Sequence, residues 1–66
     1  MKVHIDELAD ALYLRLYESN IIESEEVYPG IILDFNEDNQ VVGIEVLNLK
    51  SKMPSTSLKK IQLEFS

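Results

Sequence analysis

The stretch Tyr28–Leu47, YPGIILDFNEDNQVVGIEVL, decides the fold. Pro29-Gly30 suits the two central positions of a type II turn, because proline presets the first φ and glycine supplies the positive φ of the second. After that reversal Ile31, Leu33 and Phe35 share one face of a strand, and the returning segment offers Val42, Ile44 and Val46 on one face and Val41, Gly43, Glu45 and Leu47 on the other. An even loop of two or four residues over Asn36-Glu37-Asp38-Asn39 would put the first six apolar side chains on a single face. A three-residue loop with a bulge would instead oppose Leu33 to Gly43 and turn Glu45 toward the apolar side. Continuity of the apolar face favours the even loop. The opposite face, with Ile32, Asp34, Val41, Gly43, Glu45 and Leu47, is half apolar, so we expect the C-terminal segment or a second copy of the chain to cover part of it.

Working outward toward the N-terminus, IIESEEVY carries Glu23, Glu25 and Glu26, which suit an exposed edge strand that resists pairing with other chains. Glu18-Ser19-Asn20 reads as a turn. In ALYLRLY, Leu12, Leu14 and Leu16 alternate with Tyr13, Arg15 and Tyr17. A helix over residues 6–17 competes, since Leu8, Ala9 and Leu12 lie at helical spacings, but a helix would scatter the three alternating leucines in different directions. The strand reading is preferred. KVHI also alternates, and Asp6 and Asp10 in DELAD suit a turn whose free amides need capping.

Toward the C-terminus, KSKMPSTS is a loop or a single helical turn, because Pro54 restricts Met53 and excludes a regular helix through it. LKKIQLEF permits a strand or a short helix, and the alternation of Ile61, Leu63 and Phe65 favours the strand. The expected fold is mainly β, with a small α+β arrangement as a variant: one antiparallel meander of four to five strands with a short helical turn near the C-terminus.

A chain of 66 residues forms one small domain at most, and at this size only about 60% of the unfolded chain's surface is buried. Residues 1–49 are read as the β body and residues 50–66 as a basic C-terminal segment. There is no cysteine and one histidine, so neither disulfides nor structural zinc would brace the fold, and self-association is the remaining aid. The apolar fraction of 45% accompanies a net charge of −6. That charge is unevenly placed. Residues 1–49 hold eleven acids against Lys2 and Arg15, whereas residues 50–66 hold Lys50, Lys52, Lys59 and Lys60 against Glu64. The acidic body repels phosphate backbones and argues against a nucleic-acid groove. No apolar run approaches a membrane span or a signal peptide's apolar region, so a cytoplasmic location is expected.

Four segments together, HIDELADALYLRL, EEVYPGIILDF, NEDNQ and VVGIEVLNLKSK, resemble in order and spacing the small bacterial family of unknown function numbered 2283, over about the first fifty residues. Members commonly have glycine in the turn where this chain has Asn39, which also tolerates left-handed backbone. The resemblance implies a compact β-rich domain without established activity. Some relatives pair with small toxin-like proteins in toxin–antitoxin gene pairs, and this implies an antitoxin role as one expectation.

No catalytic signature is present: there is no nucleophile elbow and no glycine-rich phosphate loop, and Gly30 and Gly43 are isolated. No enzyme activity and no cofactor are expected. Asp34 and Glu45 are the acids that could share a sheet face and act as weak ligand candidates, but two carboxylates are too few for calcium. Arg15 is a natural ion-pair partner for either. His4 with Asp6 and Asp10 falls short of a convincing metal site. The expected function is a protein-interaction or self-assembly module, with Tyr13, Arg15, Tyr17, Glu23, Glu25 and Glu26 as partner-binding residues. A small basic protein or a second copy is the expected partner. The alternatives are a purely structural homo-oligomer and a small metal or catalytic site built on Asp34, Glu45, His4 and Asp6.

Overall fold

The computed structural model describes residues 1–54, 57 and 59–65. Five strands form one antiparallel sheet: β1 (Lys2–Asp6), β2 (Ala11–Arg15), β3 (Glu23–Tyr28), β4 (Ile31–Phe35) and β5 (Val41–Leu47), followed by one helical turn, α1 (Leu49–Lys52). The chain is mainly β and its strand order is meander-like. Neighbours run β1-β2-β5-β4-β3, so consecutive strands pair except that β2 lies beside β5.

Antiparallel partners directly opposite one another share a face, and the register therefore gives rows across the sheet. Val3, Leu14, Ile44, Leu33 and Glu25 form one row, and Ile5, Leu12, Val46 and Ile31 form the next on the same face. The other face carries His4, Tyr13, Glu45, Ile32 and Glu26 in one row and Lys2, Arg15, Gly43, Asp34 and Ser24 in another. The strand reading of ALYLRLY thus holds.

The turn between β3 and β4 is the Pro29-Gly30 reversal, with Gly30 at φ 80. The loop between β4 and β5 corrects the even-loop expectation. The amide of Asn36 donates to the carbonyl of Gln40 (3.1 Å), that of Asn39 donates to the carbonyl of Asn36 (3.0 Å), and Asn39 has φ 59. This is a three-residue loop closed by a left-handed residue. A second irregularity between Asp34 and Phe35 adds another one-residue offset in the same direction, after which Leu33 faces Ile44 and Ile31 faces Val46. Together the two offsets move the pairing by two residues, which restores the face parity of an even loop, and the apolar face stays continuous.

At the β1–β2 turn the Asp6 carboxylate accepts from the Ala9 amide at 3.1 Å, which caps that turn locally. Asp10 acts at long range instead. Its carbonyl accepts from the Leu49 amide at 3.1 Å, and its carboxylate accepts from the Lys50 amide at 3.2 and 3.3 Å. The otherwise unpaired amides of α1 are thereby satisfied by a residue from the other end of the chain. The helix stops at Met53, which is extended ahead of Pro54.

The C-terminal strand expected over LKKIQLEF does not form: residues 60–65 lie outside any strand, and Leu58 lies outside the described residues. The outer strands β1 and β3 each keep an unpaired edge, and the alternating residues 61–65 join neither as a strand. Among the described residues only Val42 and Leu49 are fully buried apolar side chains.

The left-handed backbone at Asn39 yields a prediction. Asn39→Ala should cost about 1–2 kcal/mol, seen as a fall of several degrees in melting temperature, while Asn39→Gly should hold or raise it. Equal melting temperatures for the two variants would show that the loop does not depend on this conformation.

Candidate functional site

The two faces of the sheet differ in chemistry. On the polar face Asp34 is 7% exposed. Its carboxylate accepts from the Ser24 hydroxyl at 2.6 Å and from the Tyr13 phenol at 3.1 Å. Tyr13 stands on β2, Asp34 on β4 and Ser24 on β3, and the phenol reaches Asp34 across Gly43 of β5. A Cβ at Gly43 would overlap the Tyr13 hydroxyl and lie 2.9 Å from Cζ and 3.1 Å from an Asp34 oxygen. Glycine is therefore required here for close approach. One carboxylate thus ties four strands together.

Burial, the hydrogen bond to Asp34 and the negative charge of that carboxylate raise the Tyr13 phenol above its ordinary 10.0, with Arg15 opposing. Arg15 does not pair with Asp34 or Glu45. Its guanidinium donates to the Ser19 carbonyl at 2.7 Å and lies 3.7 Å from Glu18. Its Nε is buried without a hydrogen-bond partner among the described residues. Glu45 is half-buried and sits opposite Tyr13 and Ile32, one row from Asp34.

Asn36 escaped the sequence reading. It is 6% exposed, its side-chain oxygen accepts from the amides of Asp38 and Gln40, each at 3.0 Å, and its Nδ2 faces Tyr17, Ser19 and Gln40 at 3.0–3.3 Å. Tyr17 in turn donates to Gln40 at 3.0 Å. An asparagine opening a hairpin loop is the available signal, since its side chain readily mimics a turn. A small polar cavity of about 170 Å³ lies beside it, lined by Ser19, Asn20, Ile22, Asn36, Glu37 and Asp38.

The other face is apolar and open. Ile5, Leu12, Leu14, Ile31, Leu33, Phe35, Ile44 and Val46 are all only half-buried, and Val3 is 45% exposed. Beside Met1 and Val3 the C-terminal segment leaves an apolar groove of about 580 Å³ lined also by Leu63, Glu64 and Phe65. Glu23, Glu25 and Glu26 are exposed on the edge strand β3. The residues expected to bind a partner therefore divide. Tyr13 and Arg15 are engaged in the sheet's own polar contacts, Tyr17 is tied to the β4–β5 loop, and the three glutamates face solvent at the edge. Among the described residues no three His, Cys, Asp or Glu side chains gather closely enough to hold a metal ion. His4 sits opposite Tyr13 and Asp6 opposite Ala11. No helix among those residues is long and apolar enough to cross a membrane.

These features define a small antiparallel β protein with an interior polar tie and an exposed apolar face. The family profile described as "Protein of unknown function (DUF2283)" matches residues 2–50, and the chain belongs to that family. No curated protein and no solved structure matches the chain.

The raised phenol makes a pH prediction. Between the ordinary value and the higher folded one the unfolded chain has already lost the Tyr13 proton, so folding stability falls as pH rises above about 10. Tyr13→Phe should lower stability at neutral pH by about 1–3 kcal/mol by removing a donor to a buried carboxylate, and it should flatten the alkaline fall. Denaturant unfolding at pH 7 and above pH 10 measures both effects. An equally steep alkaline fall in the variant would assign it to other groups.

Proposed function

We propose that this chain is a protein-interaction module whose partner is a second copy of itself, the two copies laying their apolar faces together as a two-layer sandwich. The observation that carries the reading is the open apolar face. A single sheet with one apolar face must bury it against another layer, and the described chain covers this face only in part, enclosing Val42 and leaving its other members half-buried or exposed. Its dimensions point the same way. The chain exposes 5321 Å², whereas a compact monomer of this mass exposes about 4,300 Å². The excess of roughly 1,000 Å² is close to the ~800 Å² that each partner contributes to a standard interface. The radius of gyration is 12.8 Å against about 11 Å for a compact chain of this length.

Light scattering over a range of concentrations tests the reading. The expected mass is twice the 7.6 kDa of one chain. Val3→Glu places a charge at the half-exposed rim of the apolar face, and should weaken association by roughly tenfold or more while leaving the circular dichroism spectrum unchanged. A mass of one chain at every concentration would sink the proposal.

A second reading, in which the chain is an antitoxin-like partner of a small basic protein, draws on the acidic β3 edge. Glu23, Glu25 and Glu26 are all exposed there, and such an edge attracts cationic partners. Salt-sensitive binding to a small basic protein encoded beside it would support this reading, and its absence would count against it.

A further inference from the structure

The proposed self-association leaves the relative orientation of the two copies open, and the unlike edges of the apolar face decide it. We propose that the two copies dock about a two-fold axis parallel to the strands, so that the β1 edge and C-terminal segment of each lie over the acidic β3 edge of the other. This inference rests on the self-association reading and adds to it a geometry and a pairing of charges.

The row Val3, Leu14, Ile44, Leu33, Glu25 runs across the whole sheet on the apolar face. It begins at β1 with an apolar residue and ends at β3 with a carboxylate. Glu23, opposite Phe35, adds a second carboxylate to the same side of that edge. The β1 edge is different. There Leu63 and Phe65 lie beside Met1 and Val3, 72% and 90% exposed, with Ile61 at 59%. Lys59 and Lys60 precede them in the chain, with Glu64 offsetting one of these charges, whereas Lys2 of β1 points to the polar face.

Sheets packed face to face keep their strands aligned to within about 30°, and a closed two-fold pair can meet this in two ways. With the axis in the sheet plane and perpendicular to the strands, each edge lies over its own copy. Glu23 and Glu25 of one chain then oppose the same two residues of the other across about 10 Å, and the lysine-bearing segments also meet each other. With the axis parallel to the strands, each acidic edge meets a lysine-bearing edge instead. Like charges brought together disfavour the first arrangement and opposite charges favour the second. Within one chain four strand spacings, about 19 Å, separate β1 from β3, so the pairing of unlike charges is made between copies, whose facing edges lie about 10 Å apart. The exposed Ile61, Leu63 and Phe65 then come to rest along the rim of the partner's apolar face.

The chain contains no cysteine, so single-cysteine variants of the full chain report the orientation directly. Val3→Cys and Glu25→Cys proteins are mixed and treated with a bismaleimide spanning about 10 Å, the sheet-to-sheet distance. The expected product is the mixed cross-linked pair. Val3→Cys cross-linking to itself in preference would overturn the orientation while leaving self-association intact. A charge swap supplies an independent readout. Glu23→Lys with Glu25→Lys in one protein, and Lys59→Glu with Lys60→Glu in another, should each weaken self-association about tenfold at low salt, and mixing the two should restore it. Unchanged dissociation constants in both charge variants would also overturn the orientation. A single-chain mass for the unmodified protein at all concentrations would remove the self-association reading and this inference with it.

Discussion

A buried carboxylate constrains the sheet more than any single apolar contact does. Asp34 is 7% exposed, and an ionised group taken from water costs several kcal/mol unless donors replace its hydration. Ser24 and Tyr13 are those donors, and they come from opposite sides of Asp34. Satisfying both requires β3, β4, β5 and β2 to be adjacent in that order, residue 43 to lack a side chain, and residue 13 to be long enough to reach over it. A one-residue slip would carry Asp34 to the apolar face and remove its partners. The polar tie therefore acts chiefly as a check on register, with its net contribution to stability secondary.

The strands were legible because alternation is a local signal. ALYLRLY, IILDF and VVGIEVL each state their two faces within a few residues, and Pro29-Gly30 specifies its own turn. What stayed hidden depends on pairs distant in sequence. Alternation sets Tyr13 and Arg15 on the same side as Asp34, Gly43 and Glu45, as the pairing of β2 with β5 bears out, but nothing in residues 11–15 specifies their register against 43–47, so the hydrogen bond of Tyr13 to Asp34 over Gly43 could not be read. The two offsets around Phe35 and Asn39 were hidden for a related reason: hydrophobic patterning reports which residues share a face, and a pairing moved by two residues keeps the same faces. Asp10 is expected from the sequence to cap its own turn, as Asp6 does, but the amide its carboxylate accepts from belongs to Lys50 of α1, forty residues away. The C-terminal alternation is real in the sequence, but residues 61–65 pair with neither open edge, and alternation alone does not specify pairing.

The distribution of burial follows from chain length. A sheet of five short strands has two faces to cover, and one helical turn covers little of either. Leu49 and Val42 are enclosed, while the large aliphatic residues around them stay half open. Ile61, Leu63 and Phe65 of the C-terminal segment are themselves exposed and add no second layer among the described residues.

The strand order also bears on the timing of folding during synthesis. β3, β4 and β5 pair with their sequence neighbours and can zip up locally, but β2 must wait for β5 before its second edge is occupied. On a ribosome the β1–β2 hairpin emerges first, and a lone hairpin is marginal in water. It stays unsupported until residue 47 is available, and the loop then closed between β2 and β5 carries the largest share of the ordering entropy. Asp10 can receive the Leu49 and Lys50 amides of α1 only once β5 lies beside β2, so α1 latches onto the β1–β2 turn after the sheet has closed.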